Sequence, residues 1–286
     1  MEPPTHETPE PRPEDIEAAS EAEVELDLFG RPAPQGTWAH RKGEPRVFAL
    51  LWTGCLLAMT GVALVASGMP WSFSEESLRS NTRWLLLAAS IGALVLWPML
   101  RLSQRRPAGG GVGAVLRDLV IVLAPMQAVI WPPAMPPNAW PASVSGALAL
   151  WIAGWTVLVG GAVALALGPG RSGETHRTEL PEGRPPSGRA LLMASIIAVT
   201  TAGLAPALLN AREVAAAGEA SGGARSSWMY SPYSGVFEIA RARPWTGQAA
   251  LVGPEHWRPI GVVWAGGAVV WAGALVWSSA RRRRSA

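Results

Sequence analysis

Cysteine, lysine and charged residues are all scarce in this chain of 286 residues, and each scarcity excludes something. The single cysteine, Cys55, cannot form an intramolecular disulfide, so cysteine usage does not indicate a redox compartment. The only lysine, Lys42, is followed by glycine and not by the serine or threonine that ends a phosphate-binding P-loop. The sequence therefore argues against nucleotide hydrolysis by this chain.

Histidine is equally sparse, and its placement does not predict chemistry. No two histidines have the i, i+4 spacing that puts two metal ligands on one helix face. Glu255 and His256 are adjacent, and a carboxylate beside an imidazole can perform acid–base work, but no candidate nucleophile accompanies them. We therefore predict no metal, no cofactor and no catalytic residue. The histidines are His6, His40, His176 and His256.

Charged residues make up only 16% of the chain, against about a quarter in a soluble domain, and they cluster between long apolar runs. The net charge of +3 does not indicate nucleic-acid binding, because the basic residues flank the apolar runs, where lipid headgroups attract them. The pattern predicts an integral membrane protein whose first partner is the lipid bilayer.

Six apolar runs have about the length needed to cross a hydrocarbon core roughly 30 Å thick. They predict an all-α fold, a polytopic transmembrane bundle of six spans within residues 47–286. The third run is the weakest, because it begins with Arg117 and Asp118, which we expect to form a neighbouring ion pair at the membrane surface. The runs are 47–69, 84–101, 115–133, 144–168, 190–210 and 259–279.

Residues 1–46 form an acidic, proline-rich tail and linker that we predict to be disordered and cytoplasmic. Apolar residues among the acids leave open a short helix that folds on a partner. No cleavable signal peptide is predicted ahead of the first span, because the run starts behind this acidic segment.

Arginine placement predicts that both termini are cytoplasmic, since short cytoplasmic loops are enriched in basic residues. The predicted outside segment 132–143 has no arginine, and the outside loop 211–258 is long enough to count less. The expected location is a bacterial inner membrane. The inside arginines and lysine are Arg41, Lys42 and Arg46; Arg101, Arg105 and Arg106; Arg171, Arg177, Arg184 and Arg189; and Arg281, Arg282, Arg283 and Arg284.

Small residues recur at helical spacing in the fourth and sixth runs, and such residues let transmembrane helices approach closely. We favour packing within one chain over pairing of two copies in a homodimer, because a six-helix bundle must bury such faces. The predicted packing residues are Gly160, Ala164 and Gly168 in the fourth run, and Gly261, Ala265, Gly266 and Gly273 in the sixth.

Few other polar side chains lie at membrane depth. Gln127, Thr200, Thr201 and Asn210 are the notable ones. Ion and proton paths usually contain ionisable groups at that depth. The sequence therefore disfavours an ion channel or a proton-coupled pump.

The outside loop contains one predicted helix. Ser231 is a suitable N-cap, and a proline at the first helical position costs no hydrogen bond. The pattern that follows predicts a short amphipathic helix on the outer leaflet, with a helix packed on the bundle as the alternative. Pro232 takes the first helical position, the apolar side carries Tyr233, Val236, Phe237 and Ala240, and the other side carries Ser234, Glu238 and Arg241.

In length, six-span layout and the segment Ser231–Arg241, the chain resembles the membrane subunits, or permeases, of exporter-type ABC transporters. In that family a short external helix opening with Asn-Pro or Ser-Pro precedes the last span. The resemblance implies transport with a separate cytoplasmic ATPase. The acidic tail and the short 102–114 loop depart from the family pattern. A non-catalytic anchor or scaffold subunit of a larger complex is the alternative function.

Overall fold

Helices build every part of the protein that the structure describes. The computed structural model describes residues 45–66, 75–104, 110–134, 140–168, 188–205, 208, 225–241 and 250–285, and no strand occurs among them. Our predictions for the acidic tail fall outside these residues, apart from its last two positions. The helices are α1 (Pro45–Ala66), α2 (Glu75–Ile91), α3 (Trp97–Ser103), α4 (Gly111–Ile130), α5 (Ala142–Leu167), α6 (Gly188–Ala202), α7 (Pro232–Ile239) and α8 (Pro254–Ser285).

Five helical stretches among the described residues are long and apolar enough to cross a membrane. The prediction of an all-α membrane-spanning bundle is confirmed. The fifth predicted span corresponds to α6, whose 15 residues are shorter than the others, and part of its predicted end at 206–210 lies outside the described residues. The five stretches are Arg46–Ala66, Ser77–Ser103, Gly111–Ile130, Ala142–Leu167 and Pro254–Ala280.

Helices α5 and α8 run parallel. Trp264 donates its indole N–H to the Leu150 carbonyl at 3.0 Å, and Trp271 donates to the Val157 carbonyl at 2.8 Å. Both donor and acceptor advance by seven residues in the same direction, which is the repeat of coiled-coil packing. Two parallel spans must be separated by an odd number of crossings. Because α7 has only 8 residues, α6 is the described helix that can supply the intervening crossing.

Glycines on α5 receive these two indoles. A methyl group at Gly154 would lie 3.0 Å from the Trp264 nitrogen, and one at Gly161 would lie 2.8 Å from Val270. Neither glycine belongs to the four-residue stripes that the sequence analysis selected. The seven-residue spacing of Gly154 and Gly161, matched to that of the tryptophans, was the available signal.

Some of the small residues predicted to pack helices together are buried between helices, and others are exposed. Gly160 lies against Leu119 and Trp97, and Ala164 is buried. Gly266 has one distant neighbour on α5. In contrast, Gly168 has a positive φ and ends α5, with no neighbouring atom in contact range of an added methyl group. The remaining three, Gly261, Ala265 and Gly273, face outward from α8, so their pairing in a homodimer stays a prediction.

Helix α5 is the centre of the bundle, and α1 and α8 lie at its edge. The most apolar window of α5 is 61% buried, against 11% for α1 and 17% for α8. A largely exposed apolar helix is stable only beside lipid or another protein. The described helices therefore form a multi-pass integral membrane protein.

A π-helical turn, Gly92–Leu96, joins α2 to α3 within one span. The ring of Trp52 from α1 lies where a side chain on Gly92 would extend, 2.7 Å from the position of its Cβ. Its indole N–H donates to the Val122 carbonyl on α4 at 3.0 Å. Trp52 thus connects three spans at the level of the π turn.

Candidate functional site

Helix α7 is anchored inside the bundle at its first turn. The Ser231 hydroxyl accepts the Tyr233 amide N–H at 3.3 Å, as an N-cap does, and donates to the Thr200 carbonyl on α6 at 2.9 Å. On α5, Trp151 donates its indole N–H to the Pro232 carbonyl at 3.1 Å and covers Gly235. The predicted N-cap and proline start are therefore observed, and α7 bridges α5 and α6.

The predicted polar face of α7 is buried. Ser234 and Glu238 are only 5% and 2% exposed. The sequence placed these two residues on the polar side of the helix, and in the structure both have partners within the bundle. On the apolar side Val236 is fully buried, while Phe237 meets Trp84 of α2 edge to face, with 5.3 Å between ring centroids. The helix is packed on the bundle, which was the alternative reading.

Glu238 is the centre of a charged cluster that joins α7 to α8. Its Oε1 accepts the backbone N–H of Arg225 at 3.0 Å and lies 3.3 Å from Nη2 of Arg241. Nε2 of His256 lies 3.9 Å from the same oxygen, beyond hydrogen-bond range. The buried carboxylate thus bonds to a residue before α7 and to Arg241 just after it, and it lies beside the first turn of α8.

His256 is completely buried, and its two ring nitrogens differ. Nδ1 accepts the Gly253 N–H at 3.1 Å, so the proton of a neutral ring lies on Nε2, which has no hydrogen-bond partner among the described residues. His256 is adjacent in sequence to Glu255, whose Oε1 is 3.6 Å from Nδ1. The structure adds Glu238, which lies 18 positions earlier in the chain and could not be assigned from spacing.

A lateral groove lies between α2, the end of α6 and α7. Its volume is about 530 Å³, within the ordinary size of ligand pockets, and its walls are almost entirely apolar. Trp84 and Ile91 on its rim are 59% and 40% exposed, so the groove opens toward the surroundings of the bundle. One wall, from α2 and the π turn after it, consists of Trp84, Leu87, Ile91 and Val95, and the facing wall includes Thr201 of α6 with Leu204 and Leu208 just beyond it.

The polar groups that line the groove are bonded to the protein. Ser234 donates its hydroxyl to the Trp228 carbonyl at 2.6 Å, and Thr201 donates to the Ile197 carbonyl at 2.6 Å. The Tyr233 hydroxyl points to Thr200 at 3.5 Å, and burial raises the pKa of the Tyr233 phenol above its ordinary 10.0. The groove therefore offers hydrocarbon-like surface to an occupant.

Arginine side chains collect at one end of this groove. Arg83, one residue before Trp84, donates Nε to the Ala240 carbonyl at 3.0 Å. Arg225 lies over the ring of Trp228, another lining residue, at 5.3 Å, and the Trp228 indole N–H has no acceptor among the described residues. Arg241 pairs with Glu238, so the three arginines all have a backbone or side-chain contact at Glu238–Ala240, the end of α7.

The opposite end of the bundle contains a buried ion pair that the sequence analysis assigned differently. Asp118 pairs with Arg101 of α3 at 3.0 Å, and the two side chains are 7% and 6% exposed, whereas Arg117 is exposed. Arg189 at the start of α6 donates to the Leu102 carbonyl at 3.0 Å and so satisfies the end of α3. The Arg101–Asp118 pair could have been found from the sequence, because α3 and α4 are joined by a short loop and their facing ends lie close together.

The other polar residues singled out at membrane depth are bonded locally. Gln127 accepts the Trp131 indole N–H at 2.9 Å, and Thr200 donates to the Ile196 carbonyl at 2.8 Å. Asn210 lies outside the described residues. Within the described part of the chain no group of three or more potential metal ligands converges.

Comparison with known proteins leaves this geometry as the basis for function. No protein-family model matches the chain, and no curated protein or solved structure matches it. The features that bear on function are therefore the groove, the arginines beside it and the membrane-spanning architecture.

Proposed function

We propose that this protein is the membrane subunit of a transporter that moves an apolar or amphipathic substrate, with a separate ATPase as its energy source. The observation that carries the proposal is the lateral groove. It is large, apolar and open on the side of the bundle, so a substrate can enter it from the bilayer without crossing water. The proposed location is a bacterial inner membrane.

The energy source is proposed on the sequence. Lys42 lies outside any P-loop pattern, so ATP hydrolysis requires another chain. The predicted cytoplasmic end offers a firm contact point for such a chain, because Arg189 ties α6 to α3 while Arg101 and Asp118 tie α3 to α4. The resemblance of Ser231–Arg241 to exporter permeases supports the same assignment.

Purification in mild detergent followed by mass spectrometry tests the proposal. We expect a stoichiometric ATPase with the wild-type chain and its loss when Arg105 and Arg106, in the predicted cytoplasmic loop, are both changed to serine. Arg212→Ser in the predicted outside loop is the control and should retain the ATPase. A chain that brings no ATPase contradicts the transporter assignment.

A scaffold subunit is the second candidate, and the exposure of α1 and α8 favours it. Both helices present long apolar faces, and outward-facing Gly261, Ala265 and Gly273 would allow another helix to approach α8 closely. Under this alternative the same purification yields a fixed set of other membrane or envelope proteins, and substitution of Gly261 by leucine releases them.

A further inference from the structure

We propose that the lateral groove binds one acyl chain of an anionic phospholipid, with the phosphate at the arginine end. This inference names the substrate class of the proposed transporter and rests on that function only for movement of the lipid. Binding itself is argued from the length of the groove, its apolar walls and the charge at one end.

The length of the groove matches one leaflet. Its wall from α2 and the π turn extends from Trp84 to Val95, which is about 16 Å at roughly 1.5 Å per residue. Half of a hydrocarbon core about 30 Å thick is about 15 Å. Trp84 is also the residue at which the apolar part of its span begins, directly after Arg83, which is a position that suits an interfacial tryptophan. An acyl chain of a single leaflet therefore fits along the groove from end to end.

The walls select hydrocarbon over a polar occupant. The hydroxyls of Ser234 and Thr201 already donate to backbone carbonyls. A sugar or peptide in the groove would leave its own polar groups unpaired, which disfavours its binding there. An acyl chain has no such groups.

The charge selects an anionic headgroup. Arg83, Arg225 and Arg241 all have a contact at Glu238–Ala240, where the Glu238 carboxylate is buried, and the half-exposed Glu255 lies beside His256. Counted over these five side chains alone, three guanidinium groups stand against two carboxylates. Arg83 and Arg241 already bond to protein groups, so they would attract a phosphate mainly through their electrostatic field. Arg225 lies over a groove-lining ring. Basic pockets between transmembrane helices bind anionic lipid headgroups in this way.

Photolabelling in nanodiscs tests the assignment. The full chain is placed in phosphatidylcholine containing a trace of phosphatidylglycerol with a photoreactive acyl chain, and labelled peptides are mapped by mass spectrometry. We expect labelling to concentrate on the 84–95 wall and to fall several-fold in Ile91→Trp, which fills the groove. Leu57→Trp, on the exposed face of α1, is the matched control and should label like wild type.

Of two further variants, one distinguishes groove filling from a folding defect and the other measures the effect of the arginine charge. Leu204→Trp fills the groove from the opposite wall and should have the same effect as Ile91→Trp. Arg225→Gln keeps the backbone N–H that binds Glu238, and should reduce the preference for phosphatidylglycerol over phosphatidylcholine about fivefold, from about 1 kcal/mol per basic residue near an anionic headgroup. Arg117→Gln is its control.

Equal labelling of wild type and both filled variants would overturn the assignment, as would equal competition by the two lipids. Transport is scored separately, as ATP-dependent lipid transfer after reconstitution with the co-purified ATPase. Groove labelling without transfer removes the transport function and leaves the binding site. An ATPase partner without groove labelling supports the transporter assignment and removes the lipid-binding site.

Discussion

Removing one member of the buried Arg101–Asp118 pair is expected to destabilise the protein strongly. The two side chains are 6% and 7% exposed, so water cannot replace a lost partner. Asp118→Asn keeps the shape and leaves the Arg101 charge without its counter-ion. Breaking such pairs costs about 3–5 kcal/mol. We expect about 3 kcal/mol, at the lower end of the range, because Arg101 also donates Nη1 to Gln104 at 2.8 Å.

Thermal unfolding in detergent, followed by tryptophan fluorescence, measures the effect. At about 2–4 °C per kcal/mol for a chain of roughly this size, the midpoint of Asp118→Asn should fall by about 6–12 °C. Arg117→Gln is the matched control. Its side chain is exposed one position away, and its effect should stay within about 0.5 kcal/mol.

A double variant separates the pair from the site. Replacing Arg101 by methionine and Asp118 by leucine removes both charges, and such apolar replacements are often neutral or stabilising. We expect it to recover most of the loss seen in Asp118→Asn. If Asp118→Asn unfolds at the temperature of Arg117→Gln, or if the double variant is no more stable than Asp118→Asn, the reasoning is refuted.

Three other outcomes follow. Gly235→Ala places a methyl 2.5 Å from a buried indole and should cost about 1–3 kcal/mol by thermal unfolding, whereas Gly261→Ala, in open space, should not destabilise. In Tyr230→Phe the remaining phenol, Tyr233, should ionise only above pH 10.0 by absorbance, and its contribution to stability should be lost as pH rises through that raised pKa; a lower midpoint contradicts burial. Protease should remove residues 1–40 in inside-out vesicles, and protection overturns the predicted orientation.

The spans were predictable because an apolar run of sufficient length has few other stable environments. Their ends were less so. The second span was predicted to begin at 84, but its helix begins at Glu75 and its candidate span at Ser77, because polar residues such as Arg83 remain helical when they bond to a neighbouring segment. Hydropathy counts the cost of placing such a residue in the membrane, but it does not include the hydrogen bonds that the residue makes to other segments.

The site could be predicted only in part. Ser231 and Pro232 marked the start of α7 correctly, because capping is local in sequence. Burial of Glu238 was not predictable from the helix pattern, since its partners Arg225 and His256 come from segments on either side of α7. The groove likewise depends on how α2, α6 and α7 meet, and helical periodicity within each segment does not specify that arrangement.

The π-helical turn at Gly92–Leu96 sets the angular relation between two halves of one span. Each residue advances a helix by about 100°, so one residue fewer would rotate everything beyond the turn by that angle. The groove wall up to Ile91 would stay in place while Arg101 swung away from α4. Residues before the turn thus line the groove, while Arg101 beyond the turn reaches the buried Asp118. Deleting one residue from the turn would break this relation and would disturb the bundle more than most substitutions.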